Sequence, residues 1–392
     1  MPFEPLASDF YGFETLLTDR EQEALMRIRA YMEGSVRPVI NDYWERAEFP
    51  HELIGPFLET DVARFGFAET RPFENSAVFR GLVSMEMARV DASMGTFVGV
   101  QEGLVMGSIN ACGSQEQRDE WLPRMASGEV LGAFGLTEPL SGSDSARGLR
   151  TTATRDGDSW VLNGSKRWIG NATFSDITII WAKDTADGQV KGFLVDTSHP
   201  GYTATKIERK IALRPVPNAD IILDGVVVPE SMRLANASSF RDTANVLRLT
   251  RASVAWSSVG VAVGAYEAAV AYAREREQFG KKIAEHQLVQ DLLARCLGNI
   301  TASMALCVRV SQMLDEGTQR DEHSALAKGY CTSRMRETVA WARESMGGNG
   351  IVLDYEAARF FADAEALYSY EGTREMNSLI VGRAITGAAA FV

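Results

Sequence analysis

The chain has 392 residues, with 40 Lys plus Arg against 52 Asp plus Glu, for a net charge of −12 at pH 7. At roughly 150 residues per domain this is material for two or three domains. A composition of 45% apolar and 23% charged residues excludes long-range disorder, a collagen-like repeat and a disulfide scaffold, and the acidic balance argues against a general nucleic-acid binder.

From residue 19 to about residue 131 apolar residues recur at helical spacing. Leu25, Ile28, Met32 and Val36 form one stripe, and Leu82, Met85, Glu86 and Arg89 share another helix. Thr18 or Asp19 is placed to cap the first helix. Between about residues 132 and 230 the period drops to two. Trp160-Val161-Leu162, then Asn163-Gly164, then Lys166-Arg167-Trp168-Ile169 read as strand, hairpin turn and strand. Residues 177–181, 192–195, 221–223 and 226–228 read as further strands. From about residue 240 the helical period returns in long Ala-rich segments. The order is helices, β domain, helices, with boundaries expected at 1–131, 132–239 and 240–392. Such segregation disfavours a doubly wound parallel sheet.

Cys112, Cys296, Cys307 and Cys331 form no C-x-x-C pair, and the four His are scattered. No zinc spacing results, and reduced core cysteines of a cytoplasmic protein are expected. The N-terminus has no signal-peptide pattern. The apolar run 254–273 is interrupted by Glu267 and reads as a buried helix, so no membrane span is expected. Ala390-Phe391-Val392 is not a peroxisomal tripeptide.

Neither common phosphate-loop fingerprint occurs, so chemistry has to come from less regular segments. Leu136-Thr137-Glu138-Pro139-Leu140-Ser141-Gly142-Ser143-Asp144 offers hydroxyls and glycine-freed N–H groups for a ligand with carbonyls and phosphates. A plain turn between helix and strand explains the same residues. Trp168-Ile169-Gly170-Asn171 is either core or an aromatic wall against a planar cofactor. Arg276 and Phe279 in Arg274–Lys282 text either face solvent or grip a phosphate and an adenine, with Gly280 expected to cap the preceding helix. Gly347-Gly348-Asn349-Gly350 permits close backbone approach or simply joins two helices. In Tyr370-Glu371-Gly372-Thr373, Thr373 reads as a helix N-cap. Glu371 is an ordinary loop carboxylate unless an apolar cleft raises its pKa and makes it a usable base.

Together, in this order and spacing, these segments resemble the acyl-CoA dehydrogenase family over almost the whole chain. Ala88-Arg89-Val90-Asp91-Ala92-Ser93 and Gly382-Arg383-Ala384-Ile385-Thr386-Gly387 look like its glutaryl-CoA dehydrogenase and short-chain acyl-CoA oxidase branch. The resemblance implies an α+β, mostly α fold: an N-terminal helical domain, a central antiparallel β domain and a C-terminal four-helix bundle. It implies FAD between the β domain and the bundle, in a homotetramer. Phe134, Leu136, Thr137, Gly142, Ser143, Trp168, Ile169 and Gly170 would then meet the cofactor, with Thr373 and Glu375 completing the pocket. Arg276, Gln278, Phe279, Gln287, Glu344, Gly347 and Gly348 would meet the FAD of a neighbouring subunit. Glu371 would be the base in α,β-desaturation of an acyl-CoA thioester, with hydride passing to flavin N5. Ser143, Gly95, Arg251, Tyr370 and Gly372 would shape the substrate site.

Some family members carry the base one position before an Arg on another helix. Here that Arg is matched by Arg251 and the preceding residue is Thr250, which cannot serve. Glutaryl-specific enzymes have an acyl-pocket Arg where this chain has Gly95. A buried unpaired carboxylate costs several kcal/mol, so a plain short- or medium-chain acyl-CoA is expected over glutaryl-CoA. Gly170 stands where many dehydrogenases have a Thr that hydrogen-bonds flavin N5; short-chain oxidases resemble this chain at Gly170. Electron-transfer flavoprotein is the expected acceptor, with oxygen the alternative. Desaturation of a carrier-bound thioester and a silent CoA- or flavin-binding role are further readings.

Overall fold

The computed structural model describes residues 3–388; Met1-Pro2 and residues 389–392, the terminal tripeptide among them, lie outside the described residues. Thr18 closes a capping box with Glu21 and starts α1 (Asp19–Tyr31). The stripe Leu25, Ile28, Met32 and Val36 is fully buried and runs through a π-helical turn, Met32–Val36, into α2 (Arg37–Arg46). Next come α3 (Ala77–Val90), α4 (Ala92–Val98), a π-helical turn at Gly99–Met106, and α5 (Gln115–Ala126). On α3 the buried charges are paired: Glu86 bonds Arg89 at 2.6 Å and Arg29 of α1 at 3.0 Å, and Arg89 reaches Glu267 at 2.7 Å.

The strands are β1 (Gly132–Gly135), β2 (Thr152–Asp156), β3 (Ser159–Ile169), β4 (Ile177–Asp184), β5 (Val190–Asp196), β6 (Tyr202–Lys206) and β7 (Ala219–Pro229). They form one sheet in which β3, β7 and β6 run antiparallel, as do β2–β3 and β4–β5. The all-antiparallel expectation needs correcting at one edge. β1 and β2 both run parallel to β4, β1 along its first half and β2 at its end. A long path through β2 and β3 separates β1 from β4, which gives the chain room to return in the same direction.

The expected turn at Asn163-Gly164 is also corrected. β3 passes straight through it with a register shift between Leu162 and Gly164. The two-residue hairpin turn lies earlier, at Gly157-Asp158, with Gly157 at φ 57°. Asn163 instead braces the neighbouring strand. Its Oδ1 accepts the Gly225 N–H at 2.8 Å, bracing the bulge where β7 carries one residue more than β3. Residues 221–223 and 226–228 are therefore one strand, not two.

The C-terminal bundle is built on α6 (Phe240–Glu275), α7 (Gln287–Asp315), α8 (Asp321–Ser345) and α9 (Ala357–Ser369), with α10 (Arg374–Thr386) packed along α8. The apolar run 254–273 is the interior of α6; Trp256, Val259, Val263 and Ala269 are buried in the same core as α1 and α3. A methyl at Gly260 or Gly264 would come within 2.2 Å of the Met85 and Arg89 carbonyls, so glycine there lets α3 cross α6 closely. All four cysteines are free and buried.

Candidate active site

The segment after β1 leaves the sheet at the gap between β1 and β2, and Lys166 fills that gap. Lys166 is fully buried. Its Nζ donates to the carbonyls of Leu136 (3.1 Å) and Trp181 (2.7 Å) and to Glu138 Oε1 (2.9 Å). Burial pulls its ammonium down to about 8 against the pull of Glu138. Glu138 also accepts the N–H groups of Arg150 and Thr151, so it is the anchor of the loop rather than part of a ligand site. Phe134 and Leu136 pack into the core under β1 with Trp181; what they offer a ligand is chiefly backbone. Gly142 and Ser143 are exposed at the loop tip, while the Thr137 carbonyl accepts the Arg167 N–H at 2.8 Å.

That last bond sets Thr137 beside the end of β3. There a second register shift, between Lys166 and Ile169, throws Trp168 outward. Trp168 sits at φ 65° and is 52% exposed, while Ile169 is buried. An L-residue of that size at positive φ is an outlier that calls for a purpose. Gly170 follows, where a Cβ would meet Val100 Cγ2 at 3.4 Å. Asn171 at φ 66° donates to the carbonyls of Phe97 and Gly132. The helix from α4 through Gly99–Met106 is therefore one wall of the site. Phe97 and Val100 face the end of β3, and Thr96 hydrogen-bonds Tyr370. Gly103 lies within 3.6 Å of Thr250 as a Cβ would measure it. Gly95 itself turns toward Met87 and Ala88 of α3, not toward Tyr370.

Across this wall is Glu371, in the loop between α9 and α10, at φ 53°. Burial pushes its carboxyl above the usual range, opposed by a Thr250 hydrogen bond and by the charges of Arg251 and Lys328. Thr250 Oγ1 donates to Glu371 Oε2 at 2.7 Å. Arg251 pairs with Asp321, and its Nε is buried without a partner among the described residues. Thr373 caps α10 as expected, accepting the Met376 N–H at 3.4 Å. Gly372 follows the base at φ 86°, and Glu375 is exposed beside Arg374.

The remaining expected residues gather elsewhere. α6 ends at Glu275, and Glu277–Gln278 pairs with Lys281–Lys282 as a two-residue hairpin. Gly280 is thus not the helix cap that was expected. With Phe279 at φ 54° and Gly280 at φ 76°, the two form the doubly left-handed turn that matches strand twist. Phe279 is 94% exposed, its ring edge-on to His286 at 6.0 Å. Arg276, Gln278, Gln287, Glu344, Gly347 and Gly348 are exposed in the same quarter, where Asn349 bonds the Tyr272 hydroxyl at 2.9 Å. At 1.5 Å per residue, Arg276 stands roughly 37 Å along α6 from Arg251. One chain does not bring this group to the base.

Three contributors went unseen in the sequence: Lys166, Lys328 and the Thr250 hydroxyl as a partner of Glu371. Lys166 shares the inward phase of Trp160 and Leu162, and Lys328 stands alone among small apolar residues of α8, so both had a signal. No cluster of metal ligands occurs among the described residues. What converges is an exposed indole, hydroxyls, glycine-flanked backbone and one carboxylate held beside Thr250, Arg251 and Lys328. That set suits a planar heteroaromatic with phosphates beside a thioester.

Family profiles agree with this arrangement. The acyl-CoA dehydrogenase N-terminal, middle and C-terminal domain profiles match residues 18–129, 133–226 and 240–386. The CarC subunit of the caffeyl-CoA reductase–Etf complex of Acetobacterium woodii is 31% identical over 88% of this chain and 92% of its own. A glutaryl-CoA dehydrogenase from Mycobacterium smegmatis, solved with FADH2, superposes with a TM-score of 0.93 at 35% identity, covering 98% of each chain. Butyryl-CoA dehydrogenase from Megasphaera elsdenii gives 0.90 at 28% identity, over 94% of this chain and 98% of that one. With matches that run in order from residue 18 to residue 386, the chain belongs to the acyl-CoA dehydrogenase family.

Proposed function

We propose that this FAD-dependent acyl-CoA dehydrogenase desaturates a short- or medium-chain acyl-CoA, with Glu371 as the base for the α-proton. The carrying observation is the setting of Glu371: raised basicity from burial, one oxygen held by Thr250, and positive φ that turns it out of the helix line. Bound FAD supplies the hydride acceptor. Its ring would lie along Trp168 and Ile169 beside Thr137, with Gly142 and Ser143 toward its phosphates. The exposed, backbone-strained indole fits that group.

The chain's own part of the reaction is proton removal and orientation. Thr250 donates to Oε2, which leaves Oε1 as the oxygen that takes the α-proton. Desolvation makes that carboxylate a stronger base than one in water. The developing negative charge on the thioester oxygen needs preorganised donors, and the Glu371 backbone N–H is the chain's candidate for one.

Gly95 stands where glutaryl-specific enzymes have an acyl-pocket Arg, and that residue difference, not its position against Met87 and Ala88 of α3, supports a plain acyl chain over glutaryl. The likeness to butyryl-CoA dehydrogenase supports a short one. A relative that works in an Etf complex supports electron-transfer flavoprotein as the acceptor. The exposed hairpin, too far from its own base, supports a homotetramer in which it serves a neighbour. Gly170 favours a second reading, reoxidation by oxygen, because it leaves the ring edge without a hydroxyl. An anaerobic titration of the flavin spectrum with butyryl-CoA, then air, tests both. Bleaching that reverses only with electron-transfer flavoprotein or an artificial acceptor supports the dehydrogenase. Reversal by air with peroxide release supports the oxidase, and no bleaching with a panel of acyl-CoAs rejects the substrate class.

A further inference from the structure

Lys328 is a charged residue buried completely in α8, on the side facing the base loop. Among the described residues its ammonium donates to two carbonyls, those of Tyr368 (2.9 Å) and Gly372 (2.8 Å). Tyr368 is the penultimate residue of α9 and Gly372 directly follows the base, so the two bonds bracket Glu371. The Gly372 carbonyl is held a second time, by Asn377 Nδ2 at 2.9 Å, which also takes the Thr373 carbonyl at 3.0 Å. Burying an ammonium is costly unless something is gained by its charge. Here the gain is local: helix α9 ends with its negative pole at this point, and a cation there is favoured.

We propose that Lys328 is the positioning residue for the base. It clamps the loop on both sides so that Glu371 keeps its left-handed backbone, and it places a positive charge close to the base. This rests on the reading of Glu371 as the base.

The groups facing Glu371 come from several elements. α6 contributes Thr250 and Arg251, the latter already engaged by Asp321 of α8. α8 contributes Lys328, whose ammonium burial pulls down to about 8 against the attraction of Glu371 and Glu375. The base's own loop contributes Tyr370, which Thr96 of α4 hydrogen-bonds and Asp363 of α9 faces. Glu102 lies on the helix touching Thr250, but its carboxyl turns to Gly66 and Arg80. Lys328 is thus a cation near the base with no acidic side chain bonded to it among the described residues.

The test is the pH profile of kcat/KM for butyryl-CoA in Lys328→Met and Lys328→Gln, with Asn377→Ala and Glu371→Gln as references. Lys328→Gln retains one amide donor for the carbonyls and serves if the Met variant fails to fold. Misplacing a reacting group by about 1 Å costs about 100-fold in rate, so kcat falls by about that factor in Lys328→Met while KM changes little. The acid limb of the profile moves to higher pH in both Lys328 variants, because the cation that favours ionised Glu371 is gone. Asn377→Ala loosens the same carbonyl without removing charge; it lowers kcat and leaves the limb in place. An unmoved limb in a folded Lys328 variant, or kcat within about twofold of wild type, overturns the proposal. If Glu371→Gln stays active, the assignment of the base fails first, and the two failures are told apart.

Discussion

Glu371 and Phe279 share a conformation that side chains of their size rarely adopt, φ 53° and φ 54°, and share little else. Around Glu371 the chain supplies every restraint: Thr250 on the carboxylate, Lys328 and Asn377 on the following carbonyl, and a capped helix immediately after. Around Phe279 it supplies a two-rung hairpin and an edge contact with His286, and leaves the ring 94% exposed. Positive φ at a bulky residue costs on the order of 1–3 kcal/mol. At the base that cost is offset within the chain and yields a fixed carboxylate. At the hairpin the described residues offer the ring only its edge contact with His286; if the hairpin serves a neighbour, as proposed, the remaining compensation comes from what the ring meets there. On the proposed reading, the base is braced within a single chain and the hairpin is half of a site.

The sharpest way to break this contrast is to remove each side chain and ask what is lost. Glu371→Gln keeps the shape of the loop and removes the base. Turnover falls by about 10⁴-fold, the upper range for a general base, while flavin content is unchanged. Residual dehydrogenation near wild type would end the assignment. Arg276→Ala and Phe279→Ala do the reverse. FAD is retained about tenfold less tightly, or about 1.4 kcal/mol, measured by dialysis against apoprotein, while turnover per bound flavin holds. A loss of turnover per flavin with retention intact would place the hairpin in the wrong half of the comparison.

A smaller effect sharpens the base side. The Thr250 hydroxyl donates to the ionised carboxylate and so favours it. In Thr250→Val the acid limb of kcat/KM moves to higher pH, because Glu371 is protonated, and idle, up to a higher value. At a pH below the limb the variant loses rate, roughly fivefold for a neutral donor of about 1 kcal/mol. Well above the limb it approaches wild type. A uniform loss at every pH would mean the hydroxyl orients the base without tuning it.

How far the sequence carried depended on whether a signal was local. Helix stripes such as Leu25–Ile28–Met32–Val36 and caps at Thr18 and Thr373 are set by near neighbours, and they were legible. Asn163-Gly164 is the commonest hairpin dipeptide, yet the turn went to Gly157-Asp158. The decisive partner, Gly225, lies 62 residues away, and no local pattern encodes a bond across β3 and β7. The parallel edge of the sheet was hidden for the same reason. At the site, the base loop was readable as a motif. Its clamp was not, because Lys328 acts through carbonyls 40 and 44 residues distant. In the sequence Thr250 shows only that it cannot be the base; its role as a donor to the base exists only once the fold brings α6 against the α9–α10 loop.

The smallest predicted effect separates strain from contact at the hairpin. In Phe279→Gly the left-handed position is relieved, since glycine adopts positive φ without a Cβ penalty. Part of that gain is returned through the greater freedom of glycine in the unfolded chain, about 0.4–1 kcal/mol. The apoprotein therefore becomes more stable by up to about 1 kcal/mol in urea unfolding, while FAD retention falls as far as in Phe279→Ala. Stability and cofactor retention then move in opposite directions through one residue, which is the mark of a side chain held in strain for a partner. If Phe279→Gly is instead less stable than wild type, the ring's contact with His286 is worth more than the strain it bears. The hairpin would then be a finished local structure, and the difference between the two left-handed residues would vanish.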